Sequence, residues 1–375
     1  MDIVSYAMGE GAGYKKGYAD GQDSDAYTAG YDKGYSEGYT SGYDAGFPAG
    51  VASVNSVKDL IDVRDAQLLF SYVKNTTGGL SADQKIASVL NYSDTENASN
   101  FNSMFSNSEI TVVPNFDTSN MISASSLFTN CYNLQNAEFD FSNLSPANLY
   151  NTFYGCRNLR NVSLSIDSSK KYSLDLTFSN CGNLHSVSFD KTPKVNSMTN
   201  TFNNAMLNAV DGETFPYMDT SEVTNFDHTF AVSAGKQQNA LRTIPTYDLS
   251  GANTVSGLST IFENRLIREI PDLILPELNI SDWNMLFSSK NGSYYFFKGN
   301  TALSKLHFTD IHGSLDISVS TQFTREALLE IIGNLRDMTG STSPVLRLGA
   351  TNLAKLTEED IAPAIEEKNW IVATG

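Results

Sequence analysis

Between residues 101 and 315 the apolar positions recur in blocks, with no single helical or strand period running through them. Three blocks align directly: Phe128-Thr-Asn-Cys131-Tyr-Asn-Leu134, Phe153-Tyr-Gly-Cys156-Arg-Asn-Leu159 and Phe178-Ser-Asn-Cys181-Gly-Asn-Leu184. Each is followed by a stretch that alternates apolar and polar: Ala137-Glu-Phe139-Asp-Phe141, Val162-Ser-Leu164-Ser-Ile166 and Val187-Ser-Phe189. Period-two alternation predicts a short strand with one face inward. The phenylalanine anchor extends outward through Phe105, Phe128, Phe153, Phe178, Phe202, Phe230, Phe262 and Phe287, in steps of 23, 25, 25, 24, 28, 32 and 25. One such block cannot bury its own apolar side. Stacked blocks would place Phe128, Phe153 and Phe178 on one another, and likewise Cys131, Cys156 and Cys181, and Leu134, Leu159 and Leu184. The expected fold is an α/β repeat solenoid over 101–315.

The flanks read differently. Val57, Leu60, Ile61, Leu68, Leu69 and Tyr72 have helical spacing, and Asn75–Gly79 is a loop. Ser81 with Gln84 makes a capping box ahead of Ile86, Val89 and Leu90, so 54–100 is expected to be a helical N-terminal cap. Residues 316–375 are expected to form a small α/β C-terminal cap. There Thr324–Leu335 is an amphipathic helix burying Leu328, Leu329, Ile332 and Leu335, and Val345–Gly349 is a strand. A second helix starts at Thr357, and Asn369–Val372 is a strand with Trp370 in the core. Residues 1–53 carry Gly-Tyr pairs at a four-residue step, among them Gly30-Tyr31, Gly34-Tyr35, Gly38-Tyr39 and Gly42-Tyr43. Position i+4 lies on nearly the same helix face, and a glycine stripe admits a close neighbour. Glycine also costs a lone helix about 1 kcal/mol per residue. The segment is therefore either a helical anchor that packs against copies or a partner, or a low-complexity linker.

Lys and Arg total 25 against 42 Asp and Glu, a net charge of −17, with no basic cluster. That balance argues against nucleic acid or an anionic membrane as partner. No apolar run is long enough for membrane insertion. The start, Met1-Asp2-Ile3-Val4, has neither a basic region nor an apolar stretch, so no secretory leader is expected. Three cysteines at repeat spacing do not form a disulfide framework and read as small buried hydrophobes. Asp117-Thr-Ser119 and Asp219-Thr-Ser221 suit turns closed by local side-chain bonds, and no loop has ligands at EF-hand spacing. The histidines are His185, His228, His307 and His312, and none falls in a hydrolase or metalloprotease motif. No catalytic residue, metal or cofactor is expected.

The F-x-x-C-x-N-L blocks, their strands and the Asp117-Thr-Ser-Asn120 and Asp219–Phe226 connectors resemble the BspA-type leucine-rich repeats of bacterial surface proteins and of phages of low-GC Gram-positive bacteria. The resemblance covers roughly residues 100–375. It implies an extracellular recognition role, and with no leader it favours a bacteriophage virion protein, a tail or head fibre released by lysis. The expected function is non-enzymatic host attachment. The N-terminal segment would dock on other virion proteins, and the array would bind a host-surface glycan or protein. A homo-oligomer is expected, since copies of a weak site gain avidity. The alternatives are a bacterial cell-surface adhesin and a polysaccharide depolymerase. Two insertions lengthen their blocks, Ala231–Gln238 and the stretch from Asn291 to Phe297. In the second, Tyr294, Tyr295, Phe296 and Phe297 are candidates for an aromatic contact patch. The competing reading turns two of the four inward.

Overall fold

A computed structural model describes residues 61–62, 66–90, 93–95, 97–253, 255–288 and 295–374. The N-terminal strands are β1 (Ile61–Asp62) and β2 (Ser93–Asp94), with α1 (Ala82–Leu90) between them. The middle of the chain contributes β3 (Asn136–Asp140), β4 (Asn161–Ser165), β5 (Lys171–Ser173), β6 (Ser186–Phe189) and β7 (Lys194–Ser197). Then come β8 (Leu241–Thr243), α2 (Val255–Ser259), β9 (Ile267–Ile270), α3 (Ile280–Phe287) and β10 (Lys305–Leu306). The C-terminal part holds β11 (Leu315–Asp316), α4 (Arg325–Gly333), β12 (Val345–Arg347), α5 (Ala350–Leu353), α6 (Glu358–Ala362), a π turn (Pro363–Glu367) and β13 (Ile371–Ala373).

Every strand pairing among the described residues is parallel, in sheets of two or three strands. Parallel neighbours need a crossover between them. Here the crossover is one sequence block. Asn136 aligns with Asn161 and Asn161 with Ser186, a 25-residue step each time. Ala137, Val162 and Val187 point inward, while Asn136, Glu138, Asn161, Ser163 and Ser188 face solvent or its margin.

The phenylalanines form the column that the core is built on. Ring centroids of Phe105, Phe128, Phe153, Phe178, Phe202, Phe230 and Phe262 follow one another at 5.4, 5.4, 5.6, 5.2, 5.7 and 5.4 Å, with planes within 16° of parallel. All seven are buried. Phenylalanine suits this place because offset rings at such distances attract beyond their area burial.

Around each anchor the backbone makes linked turns. The amides of Leu127, Thr129, Cys131 and Leu134 donate to the carbonyl three residues back. Those of Ser126, Phe128 and Asn130 donate instead to Tyr150, Thr152 and Tyr154 in the following block. Left-handed residues recur in pairs four positions apart, Ser126 (φ 59°) with Asn130 (56°), Asn151 (57°) with Gly155 (71°) and Leu176 (58°) with Asn180 (62°). Asparagine and glycine tolerate that region best, which explains the N or G two places after the anchor phenylalanine. Asn130 donates 3.0 Å to Asn107 Oδ1, and Asn204 donates 3.2 Å to Asn180 Oδ1. Gly155 interrupts this ladder because a Cβ there would collide with Asn130 Oδ1.

The cysteine and threonine side chains inside the column donate to carbonyls of neighbouring blocks. The thiols of Cys131, Cys156 and Cys181 donate 3.0 Å to the carbonyls of Phe105, Phe128 and Phe153. All three are free, and burial pushes Cys131 and Cys181 up to about 12. Thr177 Oγ1 donates 2.8 Å to Leu149 O, and Thr201 Oγ1 donates 2.8 Å to Leu174 O. After Phe262 the cysteine position is taken by Arg265, which is fully buried. Its Nε donates 2.7 Å to Phe230 O and its guanidinium lies 5.3 Å from the Phe215 ring centroid. Burial pulls its pKa down to about 9, still above neutrality, so the group stays charged among carbonyl oxygens and a ring face. The Asp-x-Ser connectors close as expected: Asp117, Asp140, Asp167, Asp219, Asp248 and Asp316 each accept the backbone N–H two residues on.

The structure corrects four sequence expectations. Residues 67–72 are not helical. Leu68 and Tyr72 are left-handed, and the amides of Ala66, Leu68, Phe70 and Tyr72 donate to Asn100, Asn102, Met104 and Ser106. Phe70 stacks on Phe105 at 5.6 Å, so the pattern begins before residue 101. Apolar spacing of three and four fits this turn run as well as a helix. Val57 and Leu60 lie outside the described residues. Secondly, the anchor after Phe262 is Phe297 rather than Phe287. Asn264 donates to Lys298, as Asn130 does to Tyr154, and Phe287 sits on α3, which is inserted into that block. Thirdly, α4 buries Ile331 where Leu329 was expected, beside Leu328, Ile332 and Leu335. Finally, the strand expected over Asn369–Val372 starts two residues later and ends one later, as β13, and Trp370 just before it is buried with Nε1 donating 2.9 Å to Arg336 O.

Candidate functional site

Of the expected aromatic patch, Tyr295, Phe296 and Phe297 are 7%, 0% and 0% exposed, so they do not form a contact surface. The reason is the inserted helix α3. Phe296 lies 5.2 Å from both Phe262 and Phe287, and Phe297 lies 5.8 Å from Phe287, so the insertion wraps these rings into the core. Tyr294 lies outside the described residues, as do Gly30, Tyr31, Gly34, Tyr35, Gly38, Tyr39, Gly42 and Tyr43.

The other insertion builds a cleft. Ala231 and Val232 stay in the buried run, and Val232 N donates 2.8 Å to Glu263 O. Ser233 to Gln237 then leave the stack and are exposed, turning at Gly235 (φ 80°). The chain returns with Asn239 N donating 2.7 Å to Leu207 O. Between this excursion and the adjoining blocks lies a cavity of about 570 Å³, lined by Asn208, Ser233, Gly235, Lys236, Gln237, Gln238, Asn239, Asn264, Leu266 and Gly299.

Most of these walls are tied to the scaffold. Gln238 spans to the next block through both ends of its amide, Nε2 to Asn264 O at 2.7 Å and Oε1 from Leu266 N at 3.2 Å. Asn264 Nδ2 donates 3.2 Å to Val232 O, and Asn239 Nδ2 donates 3.1 Å to Ala209 O. Gly299 (φ 74°) keeps the wall close to Asn264, because a Cβ there would lie 2.6 Å from Asn264 Oδ1. Lys236 and Gln237 make no side-chain hydrogen bond among the described residues. The cleft therefore has fixed walls and two available polar side chains. It has no carboxylate in its lining, although the chain carries a net −17. The Gln237 amide, unbonded to the scaffold, can both donate and accept, which matches hydroxyl groups that do the same.

The histidines sit elsewhere, beside acids. His185 Nδ1 lies 3.0 Å from both Glu213 oxygens. His228 lies between Asp227 at 2.8 Å and Glu263 at 3.3 Å, and Lys298 pairs with Glu263 at 2.6 Å. His307 lies between Glu330 and Glu269, and His312 contacts the carbonyls of Asp310 and Leu278 at 2.9 Å each. Among the described residues no group of three His, Cys, Asp or Glu side chains could hold a metal ion, and no helix is long and apolar enough to cross a membrane. The length of the 231–238 insertion was the only sequence signal for the cleft, whose opposite wall comes from residues 25 to 66 positions away, at Asn208, Asn264 and Gly299 relative to Ser233 to Gln238. Compared with known proteins, the chain matches no family model, no curated protein and no solved structure.

Proposed function

We propose that this chain is a non-enzymatic bacteriophage virion protein that binds a saccharide of the host surface. In this reading the blocks are coils of a BspA-like leucine-rich-repeat solenoid, and residues 1–53 attach it to other virion proteins. The observation that carries the recognition role is the cleft at residues 233–239: amide-lined, free of carboxylates and rigidly backed. The Gln237 amide and the Lys236 ammonium suit a hydroxyl-rich ligand, and no stacking ring lines the cleft, so a single site binds weakly. Several copies on one particle would supply the avidity.

The test is adsorption of the full chain, fluorescently labelled, to isolated cell-wall polysaccharide of low-GC Gram-positive bacteria. A Lys236→Ala/Gln237→Ala double substitution is expected to weaken adsorption at least tenfold with no change in melting temperature, because neither side chain is bonded to the scaffold. Incubation should release no new reducing ends. Unchanged adsorption by the double variant would exclude the cleft, and release of reducing ends would favour a depolymerase.

A further inference from the structure

We propose that His307 is a pH-dependent fastener that holds helix α4 of the C-terminal part against the repeat array. His307 follows β10, whose Lys305 and Leu306 align with Glu269 and Ile270 of β9. Its Nδ1 lies 2.6 Å from Glu330 Oε1 on α4, and its Nε2 lies 3.1 Å from Glu269 Oε1 on β9. One ring thus bridges residues 38 positions apart on one side and 23 on the other. A carboxylate can only accept, and a neutral imidazole has one N–H. Only the doubly protonated ring donates to both partners. Once it loses a proton, one nitrogen lone pair faces a carboxylate oxygen.

The charged groups around the ring are Glu330 from α4, Glu269 from β9, and Lys305 two residues back on its own strand, with Nζ 3.8 Å from Glu269 Oε2. Partial burial pulls the pKa of His307 down, but the hydrogen bonds to Glu330 and Glu269 together outweigh it and hold it above the usual 6.5. A raised folded-state pKa means that the contact stabilises fully below the unfolded value and is lost as pH rises through the folded one. Other ties across the same junction do not titrate in that range. Arg336 pairs with Asp310, and two backbone bonds hold the end of α4 to the array, Ile311 N to Asn334 O at 3.0 Å and Arg336 N to Ile311 O at 2.8 Å. Alkaline pH therefore loosens α4 locally and leaves the chain joined.

The experiment is hydrogen exchange on the full chain at pH 6.0 and 8.5. Amides of α4 are read against those of β4, after correction for intrinsic exchange. Opening of α4 relative to β4 is expected to rise about tenfold at the higher pH, the factor associated with losing one charge-assisted hydrogen bond. His307→Gln should open at pH 6.0 as wild type does at 8.5, and should show no pH dependence. In a parallel NMR titration, Glu330→Gln and Glu269→Gln should each lower the His307 midpoint. An α4 to β4 ratio that stays constant with pH in wild type, or a midpoint unmoved by both carboxamide variants, would overturn the proposal.

Discussion

Phe153→Ala tests the stacked column where it is most regular. The ring is fully buried, 5.4 Å from Phe128 at 16° and 5.6 Å from Phe178 at 3°. Truncating a buried phenylalanine costs roughly 3–5 kcal/mol, the larger values applying where the site cannot collapse. Collapse is hindered here because the amides of Leu149, Asn151, Phe153 and Gly155 bond to the next block at 2.9, 3.2, 3.0 and 2.8 Å and fix the spacing. We therefore expect a loss of about 4–5 kcal/mol in urea unfolding. The pairing itself is read by a double-mutant cycle. Phe153→Ala and Phe178→Ala should couple by about 1 kcal/mol, since their rings touch. Phe105→Ala and Phe230→Ala, five ring-to-ring steps apart, should add within about 0.5 kcal/mol. A loss below about 1 kcal/mol for Phe153→Ala, or equal coupling in both pairs, would refute the column as the source of stability.

Three further outcomes are expected. The thiols of Cys131, Cys156 and Cys181 are buried with raised pKa, so at pH 8 a thiol reagent should label them only at the rate of unfolding, and all three should react at once in denaturant. Gly251→Ala should lose about 1–3 kcal/mol, because the new methyl would lie 2.7 Å from Ser221 O and 2.8 Å from Val223 O, both backbone; an unchanged urea midpoint would contradict this. Thr177→Val keeps the shape and removes the 2.8 Å bond to Leu149 O, which keeps its bonds from Thr152 N and Oγ1, so about 0.5–1.5 kcal/mol should be missing in the same assay.

Much of the framework was legible because one position, the anchor phenylalanine, repeats with a packing requirement that few residues meet. The strands after Leu134, Leu159 and Leu184 were legible for the same reason, each alternating with period two. The Ser81–Gln84 capping box was equally plain: Ser81 N donates 2.8 Å to Gln84 Oε1, and Gln84 N donates 3.1 Å to Ser81 Oγ. What failed was local pattern without a distant partner. The run 68–72 carries apolar spacing compatible with a helix, and only its bonds to residues 102–106 select the turn conformation. Phe297 was hidden because an inserted helix lengthens its block and offers Phe287 at the expected step. Tyr295 and Phe296 looked equally suited to surface or core until α3 supplied their wall. The cleft was illegible beyond its insertion, since its shape depends on amide bonds between separate blocks. Arg265 at a cysteine position could not be read either, because its acceptors are carbonyls of Phe230 and Phe202, 35 and 63 residues away.

The central claim is that the blocks are interchangeable coils in one stack, and excision measures it directly. Deleting residues 154–178 joins Phe153 to Ser179, removes one 25-residue step and restores the F-S-N-C sequence at the junction. Deleting residues 154–166 removes β4 and about half a step. The account predicts a folded chain for the first deletion, with a single urea transition and its three-stranded sheet reduced to β3 paired with β6, and loss of cooperative unfolding for the second. Equal damage by the two deletions, or equal tolerance of them, would contradict it.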